Sequence, residues 1–523
     1  MTHDSDVRPT VQEGPPAAAR RPALPARDWC LGGAAVLVAI VCYLLVRDGP
    51  VTAAAASEQD GPSALWPVLS LVCGLLAWAV GTRGRRGDVL SPFSITLLVL
   101  ISIYAVRPLF MLHDRDFEFY GLDVVTGFDQ AAFVGFAGIL ALSAGYFFPS
   151  RARTAPSRTA APAPGYSMYR AGLVGTGLVL AWLVANIVKG GSIGFLTQVF
   201  AGRSASTGAA LAGLPVVVAA FPVASALLVA TVRILIERQR RLRATERIAF
   251  WSVVVLAVLP ALGQGGRRFL LPCLVASIVA TTAPSYGRVV RPRLAVAAFV
   301  AFALLAVVPF VRTTGSRQGR TDLLGAVVEY VQREGLIGTL RPVFTSYDTE
   351  MFSYVSYLAP RLGNGIPYGL GRGTVGDALL APFPAGLAPA PLWSNELLTS
   401  IFGGGCTEVV CPVPSVLGVL LYDLALPGVL VGCLLLGLLF RRYPSWLASA
   451  NAGRLVLVVA LAAFAPVLAR GNTINTGYLT VLTCLVCLAG LPLARRRRSR
   501  GGDLASRPPG LVGPSRPRTA AQR

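Results

Sequence analysis

The sequence predicts an all-α integral membrane protein of about twelve transmembrane helices, with both termini cytoplasmic and one long extracytoplasmic loop between the ninth and tenth spans. Three observations predict it. Of 523 residues, 54% are hydrophobic and only 14% charged, with a mean hydropathy of +0.62, where an ordinary soluble domain carries about 25% charged residues. Apolar stretches long enough to cross about 30 Å of hydrocarbon recur along the chain. The basic residues also fall on alternate connecting segments, as the positive-inside rule requires.

Taken in order, residues 1–28 form a proline- and alanine-rich tail too polar to bury a core, hence a disordered cytoplasmic segment. Residues 29–311 read as a nine-helix region centred near Leu37, Leu71, Leu100, Ile139, Leu180, Val223, Val255, Val275 and Phe302. The first span begins at Trp29, lacks a small-residue cleavage site and is followed by further spans, so it reads as a membrane helix and not a removable signal peptide. "RARTAPSRTAAPAPG", residues 151–165, is a cytoplasmic linker. "RILIERQRRLRATER", residues 233–247, is a basic juxtamembrane helix that anchors topology beside anionic lipid.

Residues 312–412 make one long extracytoplasmic excursion, and loops of that length are usually functional. Within it, "TDLLGAVVEYVQREG" places Leu324, Val327, Val328 and Val331 at helical spacing with Thr321 or Asp322 as cap, predicting a helix along the membrane surface. Residues 413–493 supply three more spans, centred near Leu430, Ala460 and Leu482, and residues 494–523 are a basic disordered tail.

With the N-terminus inside, segments 1–28, 82–90, 149–170, 233–249, 284–293, 441–454 and 494–523 hold 32 of the 47 basic residues against 8 acids. Lys189 is the single lysine. A GC-rich coding bias explains that, so the arginine content does not point to nucleic acid, and no nucleic-acid partner is expected. Seven of the nine cysteines fall within spans, as small apolar residues do. Cys406 and Cys411 lie in the outer loop, where a local disulfide is favoured over a metal site because no second pair completes four ligands.

Several constellations can carry chemistry. "GQGGRRFLLP" puts Arg267 and Arg268 at an outer helix turn, where topology does not ask for arginine, and Arg312, Arg317, Arg320 and Arg470 occupy similar outer positions. Arginine binds phosphate through two parallel hydrogen bonds and keeps its charge, so such groups suit a lipid-linked diphosphate; each could instead snorkel to a lipid headgroup. Asp423 is the one carboxylate well inside a predicted span, a candidate base or a helix-positioning partner of an arginine. In the long loop, Tyr347, Asp348, Tyr354 and Trp393 combine aromatic faces with a carboxylate, as a carbohydrate site would, or as interfacial anchors would. Asp114, Asp116 and Glu118 alternate in "LHDRDFEFYGLD" and resemble an acidic metal-binding triplet, with an ordinary solvated loop as the other reading. No Walker loop or dinucleotide fingerprint appears.

"IYAVRPLF", "GQGGRRFLLPCLV", "SVLGVLLYDLALPGVLVGCLLLGLLFRR" and "LARGNTINTGYLTVL" together resemble the bacterial O-antigen and exopolysaccharide repeat-unit polymerases, the Wzy-type family. The resemblance implies a membrane glycosyltransferase of the cell envelope. It would move a polyprenyl-diphosphate-linked glycan onto an incoming lipid-linked repeat unit at the outer face of the cell membrane, with inversion and without metal or other cofactor. It implies that Arg267, Arg312 and Arg470 hold diphosphates, and that membrane lipids, a flippase and a chain-length regulator of the same pathway are partners. Where the family carries a glutamate in an "LGELY"-like stretch this chain has Leu420, leaving Asp423, Asp348 and Glu396 as candidate bases. Two other classes compete: an O-antigen-ligase-like transferase of the same architecture, and a transporter or flippase for lipid-linked oligosaccharide, which inverted repeats and midplane polar groups would mark.

Overall fold

The computed structural model describes residues 62–83, 90–119, 121–148, 165–190, 216–263, 267–283, 349–380, 413–449, 451–471 and 473–495, with positions 329 and 332. The long helices, in chain order, are α1 (Leu65–Arg83), α2 (Pro92–Ile101), α3 (Arg107–Asp114), α4 (Phe128–Phe147), α5 (Met168–Gly190) and α6 (Val216–Glu237). They continue as α7 (Ala244–Gly263), α8 (Arg267–Thr282), α9 (Met351–Leu358), α10 (Ser415–Phe440), α11 (Ala452–Arg470) and α12 (Thr473–Gly490). The only sheet among the described residues is a two-stranded hairpin, β1 (Glu118–Phe119) paired antiparallel with β2 (Leu122–Asp123).

This is an all-α membrane protein. Among the described residues, 7 helices are long and apolar enough to cross a membrane, and Phe269–Thr282 and Gly477–Gly490 are shorter apolar helices. The span expected at Val255 is helical as α7, but Glu246 and Arg247 occupy its first turn and shorten its apolar run. The spans expected at Leu37 and Phe302, both tails, the surface helix of 321–335 and most of the long loop lie outside the described residues.

Local chemistry sets the helix boundaries. The Ser91 hydroxyl accepts from the Ser94 amide and Pro92 occupies the first helical position, which together start α2. Asn451 accepts from the amides of Gly453 and Arg454 to start α11. Between α2 and α3 the chain winds as one π-turn, Ser102–Val106, in which the Arg107 amide reaches back to the Ser102 carbonyl. Pro108 is the cause: it has no N–H for the Tyr104 carbonyl, so the ladder shifts by one residue instead of breaking.

The chain divides into two compact units. The first gathers the described residues of 1–156, 344–380 and 388–443. Its centre is α4 against α10, where backbones meet through glycine: a β-carbon at Gly145 would collide with the Leu434 carbonyl, and one at Gly437 with the Leu142 carbonyl. Without a hydrophobic drive between helices in lipid, such small-residue contacts are what bring two helices close. Phe93 stacks on Tyr146 at 3.9 Å and Phe128 meets Phe352 edge-on at 5.1 Å, closing the core around α2, α4 and α9.

The second unit gathers the described residues of 157–343, 381–387 and 444–523. Helix α6 is its axis: α5, α7, α8, α11 and α12 all pack on it, and its residues from Val223 to Ile236 are buried. One end of this bundle is fixed by a chain of bonds. Ser167 donates to the Ala494 carbonyl, Tyr169 to the Thr245 hydroxyl at 2.6 Å, and Arg238 to the carbonyls of Leu447 and Ser449. The starts of α5, α7 and α11 and the ends of α6 and α12 therefore share that end. On the outside of the bundle Leu173, Leu180, Val184 and Val188 of α5 are exposed as one helical stripe, the pattern of a lipid-facing helix.

Candidate functional site

In the first unit, α10 is broken at its tenth and eleventh residues. Leu424 (φ −138°, ψ 25°) and Ala425 (φ 54°, ψ −151°) leave the helical region, and Pro427 removes the N–H that the Asp423 carbonyl would have accepted. A glycine-rich loop, "GNGIPYGLGRG", docks on the groups so freed. The Gly369 amide donates to the Tyr422 carbonyl and the Leu370 amide to the Asp423 carbonyl, both at 2.9 Å. The Gly373 amide then donates to Asp423 Oδ1 at 2.7 Å.

Only a glycine could bring the loop this near, because a β-carbon at position 369 would lie within 2.6 Å of Asp423 Oδ1 and collide with the Tyr422 ring. The turn that follows needs φ of 91° at Gly371, which glycine adopts without strain.

The outcome is a carboxylate that is 2% exposed, with Oδ1 held by a backbone amide and Oδ2 without a partner among the described residues. Unmatched buried carboxylate oxygens are costly and tend to persist where something binds or reacts. Asp423 was legible as an intramembrane acid. The helix break and the loop that grips it were not, although "ALPG" inside a span and the run of glycines in 363–373 are the signals that carry them.

A second polar group in this unit had no role assigned from sequence. Arg107 follows the π-turn and is 7% exposed, with Glu350, Asp116 and Asp114 within electrostatic reach. Nearby, the Tyr104 hydroxyl and the Ser415 hydroxyl share a buried 2.5 Å hydrogen bond that ties the π-turn to the start of α10.

In the second unit, Arg267 and Arg268 are the first two residues of α8, and Arg470 is the last residue of α11, against which α8 packs. Helix α7 starts at the bonded end and finishes at Gly263, α8 begins at Arg267 and packs on α7, and α11 starts at the bonded end too. All three arginines therefore lie at the opposite end of the bundle. Arginine at a helix N-terminus adds positive charge to the positive pole of the dipole, an arrangement that favours an anion there.

The remaining predicted site residues distribute as follows. Tyr354 is 1% exposed on α9, its ring edge-on to Phe119, so it packs the core and offers no free face for a sugar; that assignment is corrected. Asp114 ends α3, Asp116 lies in the turn after it and Glu118 is on β1. The described residues contain no group of three or more His, Cys, Asp or Glu that could hold a metal ion. Arg312, Arg317, Tyr347, Asp348, Trp393, Glu396, Cys406 and Cys411 lie outside the described residues. Comparison with family models, with curated proteins and with solved structures finds no match to this chain.

Proposed function

We propose that the protein is an oligosaccharide repeat-unit polymerase of the cell membrane, joining polyprenyl-diphosphate-linked glycan units at the outer face in surface polysaccharide synthesis. The observation that carries the reading is the end of the second unit at which α8 begins and α11 ends. Arg267 and Arg268 begin α8 there and Arg470 ends α11, so three arginines gather at helix termini on one end of the unit. Guanidinium groups at a helix N-terminus match a diphosphate in charge and in paired hydrogen-bond geometry. The full topology belongs to this reading: about twelve spans, N-in and C-in, with residues 312–412 outside. It is supported by the arginine asymmetry, because the other end of the same unit carries Arg170, Arg238, Arg240, Arg241, Arg243 and Arg247.

In the reaction, a hydroxyl of the acceptor sugar attacks the anomeric carbon of the donor glycan. The bond from that carbon to the diphosphate breaks, polyprenyl diphosphate leaves with the electron pair, and a carboxylate takes the hydroxyl proton. Arg267 and Arg470 stabilise charge that grows on the departing diphosphate. The candidate bases are those read from the sequence, Asp423, Asp348 and Glu396; among the described residues Asp423 has Oδ1 held by the Gly373 amide and Oδ2 without a partner.

The test separates charge from geometry. Arg267→Ala and Arg267→Lys should both abolish long polymer at matched membrane abundance, with single lipid-linked repeats accumulating, since lysine cannot form the paired bonds. Asp423→Asn keeps an acceptor for the Gly373 amide and loses the base, so it should insert normally and make no polymer. Long chains from either Arg267→Ala or Asp423→Asn sink the assignment.

A transporter of lipid-linked oligosaccharide is the second reading, favoured by the broken α10, since discontinuous spans line the substrate sites of many transporters. The side of the membrane on which single repeats accumulate in a deletion strain separates the two. Outer accumulation supports the polymerase and inner accumulation supports the transporter.

A further inference from the structure

At the bonded end of the second unit the charges can be paired off. Arg240 forms a two-pronged bond to Glu246, NH1 to Oε2 at 2.7 Å and NH2 to Oε1 at 2.5 Å. Arg233 pairs with Glu237 at 3.2 Å and lies over the Phe250 ring at 4.5 Å. Arg238 is spent on the carbonyls of Leu447 and Ser449. Glu237 and Glu246 are the only carboxylates among the described residues at this end, and both are engaged.

Arg170, Arg243 and Arg247 remain exposed, and among the described residues no uncommitted carboxylate lies at this end. Arg170 uses one nitrogen on the Arg495 carbonyl at 2.7 Å. Arg247 is within electrostatic reach of the Arg233–Glu237 pair, whose own charges cancel, so it keeps its surplus.

What lies beneath these arginines is apolar and aromatic. Tyr169, bonded to Thr245, and Trp251, one turn after Arg247, are exposed, and amphipathic rings of this kind favour the membrane–water interface. Below them Leu173 of α5 and Ile248 and Val255 of α7 are exposed on the two helices, which pack directly through Gly172 and Gly175 against Val253. Cations, then aromatic rings, then an aliphatic surface is the order in which one phospholipid presents its phosphate, glycerol and acyl chains.

We propose that the α5–α7 face binds an anionic phospholipid selectively, its headgroup phosphate held by Arg170, Arg243 and Arg247 and its acyl chains lying along Leu173, Ile248 and Val255. This is more than attraction to a charged leaflet, which any basic segment shows. The Arg240–Glu246 and Tyr169–Thr245 bonds join the start of α5 to the start of α7 and the turn before it, so Arg170, Arg243 and Arg247 stand on adjoining, fixed segments. The inference is independent of the polymerase reading.

Trp251 makes the site readable. Full-length protein is reconstituted in phosphatidylcholine vesicles carrying increasing fractions of brominated phosphatidylglycerol or brominated phosphatidylcholine, and the Trp251 signal is taken as the difference between wild type and Trp251→Phe. Brominated phosphatidylglycerol should quench Trp251 with a preference of about fivefold or more over brominated phosphatidylcholine, the order of effect of one juxtamembrane arginine. The preference should fall to about one in Arg243→Gln/Arg247→Gln. Arg170→Gln, which lies outside the α6–α7 turn, should lower it as well, with an unchanged melting temperature separating lost lipid contact from the lost bond to the Arg495 carbonyl. Equal quenching by the two lipids, or a preference that survives the double variant, overturns the proposal. So does loss of the preference on adding millimolar inorganic phosphate, which would make the patch a general anion site.

Discussion

The two units treat polar groups in opposite ways. In the first, the main chain leaves the α-helix at the π-turn Ser102–Val106, at Leu424–Ala425 and at the π-turn Arg372–Gly376, and the buried charges Arg107 and Asp423 adjoin those departures. In the second, Pro222, Pro272 and Pro466 are absorbed inside helices without a comparable break, and the charges gather at helix ends. An irregular backbone fixes a polar group at depth, because freed amides and carbonyls must find partners inside protein. Helix ends bring charges together, where even the buried Arg233 and Glu246 find charged partners on neighbouring turns. A buried carboxylate gripped by a loop is thus a feature of the first unit, and arginines clustered at helix ends are a feature of the second.

The largest effect expected is at the glycine contact of α4 with α10. Gly437→Leu drives a side chain into the Leu142 carbonyl, and neither backbone can retreat without undoing the packing of the first unit. The cost is on the order of 3 kcal/mol or more. Gly177→Leu on α5 of the second unit enters open space and should change little. Thermal unfolding of both variants in detergent decides the matter. Comparable loss in the two would show that the close backbone approach is not what holds the first unit.

That pair of glycines also shows where the sequence was readable. Composition and apolar run length locate helices α1 to α8 and α10 to α12, because the bilayer imposes span length on any sequence that crosses it. They are blind to which glycine touches a backbone, since Gly177 and Gly437 occupy similar apolar runs. Asp423 stood out because a carboxylate inside a span is rare. Its grip by Gly373 did not, because that bond joins residues fifty positions apart. Tyr354 misled because an aromatic near acids looks alike whether it faces solvent or Phe119.

An intermediate effect is expected at the start of α7, the best-paired charge in the second unit. Glu246 is 2% exposed and sits three residues after Arg243, accepting the Arg243 amide at 3.0 Å as a capping-box glutamate does. The hydrogen bond from Arg240 holds its carboxyl well below the usual range, at about 2 against 4.5. A carboxyl with a depressed value in the folded state contributes its full stability above pH 4.5 and loses it as the pH falls toward 2. Glu246→Gln should therefore cost about 1–2 kcal/mol at neutral pH. The gap in melting temperature between wild type and variant should hold from pH 7 to 5 and close as the pH falls below 4.5. A gap that stays constant down to pH 3 would remove the ion pair from the account and leave only packing.

The smallest effect returns to the break in α10 and has the opposite sign. Ala425 holds φ of 54° with ψ of −151°, a region in which a β-carbon is crowded and which glycine enters freely. The amides of Gly369 and Leu370 hold the carbonyls of Tyr422 and Asp423 there, so the docked loop keeps the strain in place. Ala425→Gly should relieve it. Glycine also loses more freedom on folding, so the net gain is about 1 kcal/mol or less, visible as a small rise in melting temperature with Asp423 and its loop unchanged. If the variant instead loses stability, residue 425 must sit in a helical conformation in the folded protein. Leu370 and Gly369 would then have no freed carbonyls to hold, and the contrast between a broken first unit and a regular second one would fail at its central residue.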